Sequence, residues 1–481
     1  MNKSPKSGGK SGFLERTFSN LRSAWQNIAG AAYDEAAASL QPDLPPDDLV
    51  RLVEQMRACL ETRGGEVSAR ARAAALGHAY MALNEIGRGR FLKVMVSDFG
   101  VRREGVDEAI EKVRTAIDDG ARENAEIALR KVLEPPRVKL LTQFNALPEG
   151  VKFLVDMRAD LLDLARHEPS LKPLEGDLKD LLKTWFDVDF LELRQINWAE
   201  SSASVLEKLI AYEAVHAIES WDDLKNRLDS DRRCFAYFHP RMPDEPLIFV
   251  EVALVDGLAD NVQDLLDENA PVIDPASADT AIFYSISNAQ RGLAGISFGN
   301  FLIKRVANML AAEFDGLTTF ATLSPVPGFK TWLMKCLADS RGDVLRQAEI
   351  QALKALHGVK GDSARKLMEV LERPDWADDP AASSAMRGVL MRLCAEYLLL
   401  AKRADDDPRA ADPVAHFHLS NGARMERLNW LGDRSAKGLD MSAGIMINYR
   451  YKLSEVEANH EAYTSTGKRK ASSALRSLLK T

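Results

Sequence analysis

The sequence predicts an α+β protein: an all-helical N-terminal domain over residues 13–188, then a mixed β-sheet domain over 189–481 with a helical insertion at 330–404. Three observations predict it. Apolar residues recur at helical spacing from residue 13 onward, and strand character is absent before Phe190. Runs dense in β-branched and aromatic residues follow, RCFAYFH at 233–239 and LIFVEVALV at 247–255. The stretch 281–329 then reads as strand, glycine-rich loop, helix and strand, the pattern of two parallel strands joined by a right-handed crossover.

The opening residues, MNKSPKSGGKSG, are basic and rich in serine and glycine, so 1–12 are expected to form a disordered tail; an organelle-targeting leader shares that composition. Pro45-Pro46-Asp47-Asp48 starts a helix with the stripe Leu49, Leu52, Val53, Met56 and Leu60. Val106, Ile110, Val113 and Ile117 form a second stripe. Phe153, Leu154, Met157, Leu161, Leu162 and Leu164 form a third, after Pro148-Glu149-Gly150. No fixed-period repeat is present, which favours a compact helical domain over a solenoid. In the second domain, 191–196 reads as a strand, 204–215 and 221–228 as helices, and 240–246 as the turn between the two β runs. A short helix is expected at 261–268. Past the insertion, Asp405-Asp406-Asp407-Pro408 reads as a solvated loop, 418–432 as a helix and 445–452 as a late strand.

Composition narrows the function. A hydrophobic share of 46% with 28% charged residues is that of a globular chain with a substantial core. A net charge of -8 argues against a general nucleic-acid binder. The four cysteines, Cys59, Cys234, Cys336 and Cys394, lack CxxC spacing, so neither a zinc site nor a disulfide framework is expected. No apolar run approaches the length needed to span a membrane.

Within 281–329 the first strand is 282–287, and its loop holds Gly292, Gly295 and Gly299. Asn300 caps a helix with the apolar face Leu302, Val306, Met309, Leu310 and Phe314. The second strand, 318–323, runs into Ser324 and is stopped by Pro325-Val326-Pro327-Gly328. Parallel strands put the loop, the helix start and Ser324 at one sheet edge. Backbone N–H groups there can hold a phosphate, although a purely structural turn needs the same glycines. The loop matches neither a P-loop nor a GxGxxG fingerprint.

Ser324 precedes a proline and lacks a GxSxG elbow, so its position alone marks it as a turn residue. His416 and His418 would face one way on a strand and diverge on a helix. No cysteine or carboxylate nearby completes a ligand set, so no metal is expected there. His78 and His167 sit in helical stretches without chemistry around them.

FYSIS at 283–287, the loop glycines, FLIKR at 301–305, LSPVPGF at 323–329, HFHLSNGA at 416–423 and NYRY at 448–451 together resemble malonyl-CoA decarboxylases. The likeness is close over roughly the C-terminal half and looser over the helical part. It implies a catalytic domain similar in fold to acetyl-CoA-dependent N-acetyltransferases. Ser324 matches the family's active-site serine and His418 its catalytic histidine, both touching substrate. Ala294, Gly295, Ile296, Ser297, Phe298, Gly299 and Asn300 match its CoA-binding segment, with Ser297 standing where some relatives have glutamate. The implied reaction converts malonyl-CoA to acetyl-CoA and CO2, a step of fatty acid metabolism. The thioester carbonyl takes up the electron pair, so neither an organic cofactor nor a metal is expected. His418, with an intrinsic pKa near neutrality, would supply the proton, and Ser324 would hold the malonyl group or relay it. A cytoplasmic homo-oligomer assembled through the helical domain is expected, with no nucleic-acid or membrane partner. An N-acyltransferase using the same loop, or a CoA-sensing module without turnover, remain alternatives.

Overall fold

A computed structural model describes Trp25, Ile28 and residues 40–61, 65–296, 302–339, 344–356 and 363–480. The tail 1–12 lies outside these residues. The chain forms two compact units: 1–192 with 238–247 and 289–298, and 193–237 with 248–288 and 299–481. No helix of the described residues is long and apolar enough to cross a membrane.

The first unit is helical, with helices at Pro46–Leu60, Gly65–Ala82, Glu85–Ser97, Arg103–Arg114, Asp119–Leu133, Pro136–Asn145, Gly150–Leu164 and Lys172–Trp185. Gly150–Leu164 is its axis, burying Val151, Phe153, Leu154, Val155, Met157 and Leu161 together with the charged Lys152 and Arg158. Around Phe153 stand Trp25 at 4.8 Å, Phe144 at 5.2 Å and Tyr80 at 5.7 Å between ring centroids, an aromatic cluster in tilted and edge-on contacts. The stripe expected at Val106 to Ile117 does not enter this core. Ile110 is 41% and Ile117 93% exposed, because the helices Arg103–Arg114 and Asp119–Leu133 pair chiefly with each other.

The second unit holds most of an eight-stranded sheet. Its strands are β1 Glu192–Ile196, β2 Arg232–His239, β3 Met242–Val255, β4 Thr280–Asn288, β5 Thr319–Thr322, β6 Ser324–Pro325, β9 Arg424–Asn429 and β10 Met446–Arg450; β7 Lys402–Ala404 and β8 Asp407–Ala410 form a separate hairpin. The order is β1-β2-β3-β4-β5-β10-β6, with β9 paired to β10. Strands β4 and β5 are parallel and joined through the helix Leu302–Glu313, as their sequence pattern predicts. β10 runs antiparallel to β5, β6 and β9. Ile282, Tyr284, Ala321, Leu323 and Met446 pack together in one buried cluster. Side chains alternate along a strand, so Thr322 and Ser324 project from the opposite face to Ala321 and Leu323.

Four expectations are corrected. Met309 is 44% exposed, and the face of its helix is Leu302, Ile303, Val306, Ala307 and Leu310. Residues 242–246 are not turn but the start of β3. Pairing with β4 begins only at Ile248, so Pro243 and Pro246 lack no ladder bond to that neighbour. The insertion is helical at Phe329–Asp339, Gln347–Lys354, Ser363–Glu372 and Pro380–Leu400, but its end, 402–404, is strand. The helix expected over 418–432 instead spans Pro413–Ser420, and Arg424–Asn429 is β9.

The helix stops there for a local reason. Asn421 is its C-cap, Gly422 adopts φ +79°, and two bonds close the end: Ala423 N–H to His418 O (3.1 Å) and Gly422 N–H to Leu419 O (3.0 Å). This is a Schellman motif, which wants glycine at that position. A Cβ at Gly422 would also stand 2.1 Å from Val456 O. Gly422→Ala is therefore expected to cost at least about 1–3 kcal/mol in strained backbone alone. Urea unfolding measures it, and a midpoint equal to wild type would show that the turn relaxes freely.

Candidate active site

Three segments of the second unit meet at Ser324. β6 presents the serine where the Pro325-Val326-Pro327 stop begins. The short helix Pro413–Ser420 presents His418. The end of β10 presents Tyr449 and Tyr451, two residues apart and so on one face. Ser324 and His418, 94 residues apart in sequence, are hydrogen-bonded, with Oγ to Nε2 at 3.1 Å. The Tyr451 hydroxyl lies 2.8 Å from His418 Nδ1. Ser324 O–H donates to Thr322 Oγ1 at 2.8 Å. With that proton spent on Thr322, the network assigns the other roles: His418 Nε2–H donates to Ser324, and Tyr451 O–H donates to Nδ1. Tyr449 stacks on the imidazole at 4.4 Å with 24° between the planes.

Asp412 ties the two polypeptide segments together. Its Oδ1 caps the His418 helix by accepting from Val414 N–H (3.0 Å) and Ala415 N–H (2.9 Å), while Oδ2 accepts from Gly328 N–H (3.2 Å), just past the Ser324 strand. Burial pushes the Asp412 carboxyl upward, against the pull of these donors.

Ser324 and His418 open onto a cavity of about 230 Å³. Val215, Phe283, Ile286, Pro325, Pro413, Val414 and Phe417 make most of its wall, with Tyr284 and Asn288 beside them; among the described residues none of the lining is Lys or Arg. His418 is 2% exposed, and burial holds its pKa down at about 3, so the free protein carries a neutral imidazole. This corrects the expectation of a histidine titrating near neutrality. The shift fixes a stability effect. Between about pH 6.5 and 3 the unfolded histidine binds a proton that the folded one refuses, so this contribution to stability is present above pH 6.5 and is lost as pH falls. Between pH 5.5 and 4.5, wild-type unfolding free energy should fall more steeply than that of His418→Gln, by about 1.4 kcal/mol per pH unit for the one proton. Parallel urea-derived curves would contradict a folded-state pKa this low.

His416, two residues along the same helix, turns elsewhere: its Nδ1 meets the Tyr463 hydroxyl at 2.9 Å. Of the expected CoA-binding segment, Ser297, Phe298, Gly299 and Asn300 lie outside the described residues. Ala294, Gly295 and Ile296 belong to the first unit. There Leu293 to Ile296 form a turn closed by Ile296 N–H to Leu293 O at 3.0 Å, with Ala294 at φ -54°, ψ 130° and Gly295 at φ +74°. That is a type II turn, whose third residue is typically glycine. Buried Arg158 donates to the Gly292 and Ala294 carbonyls and holds the turn from behind. Sequence reasoning gave Tyr451, Thr322, Asp412 and Arg158 no role. For Tyr451 a signal existed, the alternation in Asn448-Tyr449-Arg450-Tyr451.

Fold and site define the class, an α+β protein with a buried, hydrogen-bonded Ser–His–Tyr line facing an apolar cavity. Family models agree on its kind: the malonyl-CoA decarboxylase C-terminal domain matches residues 189–481, and the N-terminal domain matches 99–186. Mitochondrial malonyl-CoA decarboxylase of Mus musculus is 35% identical over 471 residues, covering 94% of this chain and 92% of its own length. That of Anser anser anser is 36% identical over 400 residues, covering 80% and 78%. The crystal structure of malonyl-CoA decarboxylase from Rhodopseudomonas palustris is similar with a TM-score of 0.80 at 41% identity, covering 89% of this chain and 98% of its own. The one from Agrobacterium vitis gives 0.79 at 40%, covering 89% and 99%. The chain belongs to the malonyl-CoA decarboxylase family.

Proposed function

We propose that this chain converts malonyl-CoA to acetyl-CoA and CO2, with Ser324 and His418 as its acid–base pair and residues 294–300 as its CoA-binding segment. The observation that carries the reading is the Ser324–His418 hydrogen bond of 3.1 Å at an apolar cavity in a chain of this family.

The cavity suits the bond that breaks. A malonyl carboxylate entering it sheds water and meets no fixed cation among the described lining residues, whereas departing CO2 is neutral, so the walls disfavour the starting charge more than the product. The same carboxylate brings a negative charge toward the buried imidazole and raises its pKa, so the substrate charges its own acid. As the carbon–carbon bond breaks, its electron pair moves into the thioester carbonyl as an enolate. The Nε2 proton then passes through the Ser324 hydroxyl to the enolate carbon, and solvent restores the proton. One proton is consumed per turnover, and the electron pair stays on the substrate, so the scheme calls on no organic cofactor or metal. Tyr451, kept neutral by burial, holds the imidazole in register.

Purified protein given malonyl-CoA and no amine should release CO2 and acetyl-CoA in equal amounts. CoA binding without turnover would sink this reading in favour of a sensing module, and a strict need for an amine would favour acyl transfer. A homo-oligomer is part of the same proposal: the exposed Ile110, Ile127 and Leu133 on the helices Arg103–Arg114 and Asp119–Leu133, with the exposed Ile117 in the connection between them, offer it apolar surface, and sedimentation measures it. So is the cytoplasmic location read from the sequence, which fractionation of cells checks.

A further inference from the structure

The helix Lys172–Trp185 contains a pair that ought to form and does not. Glu175 and Lys179 are four residues apart with the acid N-terminal, the arrangement that favours an ion pair on a helix surface. Glu175 Oε1 is instead taken by Arg158, accepting from Nε at 3.2 Å and from a terminal guanidinium nitrogen at 2.7 Å. Arg158 is 1% exposed and gives two further donors to the Gly292 and Ala294 carbonyls. Among the described residues nothing pairs with the Lys179 ammonium. Its Nζ stands over Gly295, 3.6 Å from where a Cβ would be.

Gly295 adds a second donor. The Ala294–Gly295 peptide is trans, so with its carbonyl turned to Arg158 its N–H points the opposite way. Among the described residues that N–H finds no acceptor, and Gly295 is exposed. An unpaired ammonium, an outward amide and a residue without a side chain thus meet at one point of the first unit. Arg158 creates the first two, by taking the acid from Lys179 and by locking the turn, and the sequence supplies the glycine.

We propose that Lys179 and the Gly295 N–H form an anion subsite that takes one phosphate group of the coenzyme A thioester. The proposal rests on residues 294–300 being the CoA-binding segment. It names the cation that this segment lacks, since Ala294 to Asn300 carry no charged side chain.

The test measures CoA, dephospho-CoA, pantetheine and inorganic phosphate binding calorimetrically, and steady-state kinetics on malonyl-CoA and malonyl-pantetheine, for wild type, Lys179→Met and Lys179→Arg. Losing one charge-assisted hydrogen bond should raise the Kd for CoA and the KM for malonyl-CoA about tenfold, with a far smaller change in kcat. The preference for malonyl-CoA over malonyl-pantetheine should shrink by the same factor, and Lys179→Arg should restore most of it. If the Met effect persists with dephospho-CoA, the diphosphate is the group bound; if it vanishes, the 3′-phosphate is. The thermal midpoint should stay at the wild-type value, because Lys179 pairs with nothing among the described residues. An unchanged Kd and KM in Lys179→Met, or equal losses on both substrates, would overturn the inference while leaving the decarboxylase reading intact. Inorganic phosphate binding as tightly as CoA would likewise overturn it, marking a free-phosphate site. Wild-type protein that neither binds CoA nor turns over malonyl-CoA removes the reading beneath it.

Discussion

Replacing His418 with asparagine is expected to lower kcat on malonyl-CoA by about 10²–10⁴-fold, the usual worth of a positioned acid. Asparagine can still hydrogen-bond toward Tyr451 or Ser324, but it cannot gain a proton when the substrate carboxylate arrives. CoA affinity should stay close to wild type, because the imidazole faces the reacting group from a cavity of only about 230 Å³. His416→Asn is the control. His416 sits on the same helix, yet it bonds Tyr463 and makes no contact with Ser324. Equal losses from both variants would mean that the helix, and not the His418 ring, is the thing activity depends on. Loss of CoA affinity in step with kcat would make His418 a binding residue.

Ser324→Ala should remove about 10²-fold or more of kcat, and enzyme quenched during turnover should carry no malonyl or acetyl group on Ser324. The proton pattern is the reason. In an acylating serine the hydroxyl proton points at the histidine base; here it goes to Thr322, and His418 donates to Ser324. Pro325 also removes the following N–H that an oxyanion hole would use. The hydroxyl is thus placed to receive a proton from His418 and hand it on. Alanine leaves Nε2–H without its acceptor, and the proton path gains a gap. Mass spectrometry of the quenched protein decides the matter: a kinetically competent adduct on Ser324 would require an acyl-transfer mechanism.

The parts of this protein that sequence makes legible are those whose causes are local. The β4–helix–β5 crossover is readable because each strand is a dense run of β-formers and the loop between them is marked by glycine. The Ser324–His418 pair is not readable from periodicity, since 94 residues and a helical insertion separate the two. It enters through resemblance to a family, and the structure supplies the 3.1 Å bond. Apolar periodicity alone carries the His418 helix too far, because it gives no weight to the stop encoded by Asn421-Gly422. That dipeptide ends the helix and frees Arg424–Asn429 to pair with β10. Arg158 and Lys152 look like surface charges on an amphipathic helix, and only packing on nearly all sides of Gly150–Leu164 reveals them as buried. The pKa of His418 escapes sequence reasoning on the same ground: burial is a property of the fold and not of the residue.

The position of β10 bears on when activity can first arise. The last strand of the sheet in chain order is inserted between strands from earlier in the chain, pairing with β5, β6 and β9, and its far end delivers Tyr451 to the histidine. Pairings of such long sequence separation close late and slowly in folding. A nascent chain emerges at about 5–20 residues per second, and its helical unit has time to form while Ser324, His418 and Tyr451 are still apart. The Ser324–His418–Tyr451 line therefore exists only after residue 451 has left the ribosome and docked. Until then a nascent chain holds Ser324 and His418 without the tyrosine that fixes the imidazole between them.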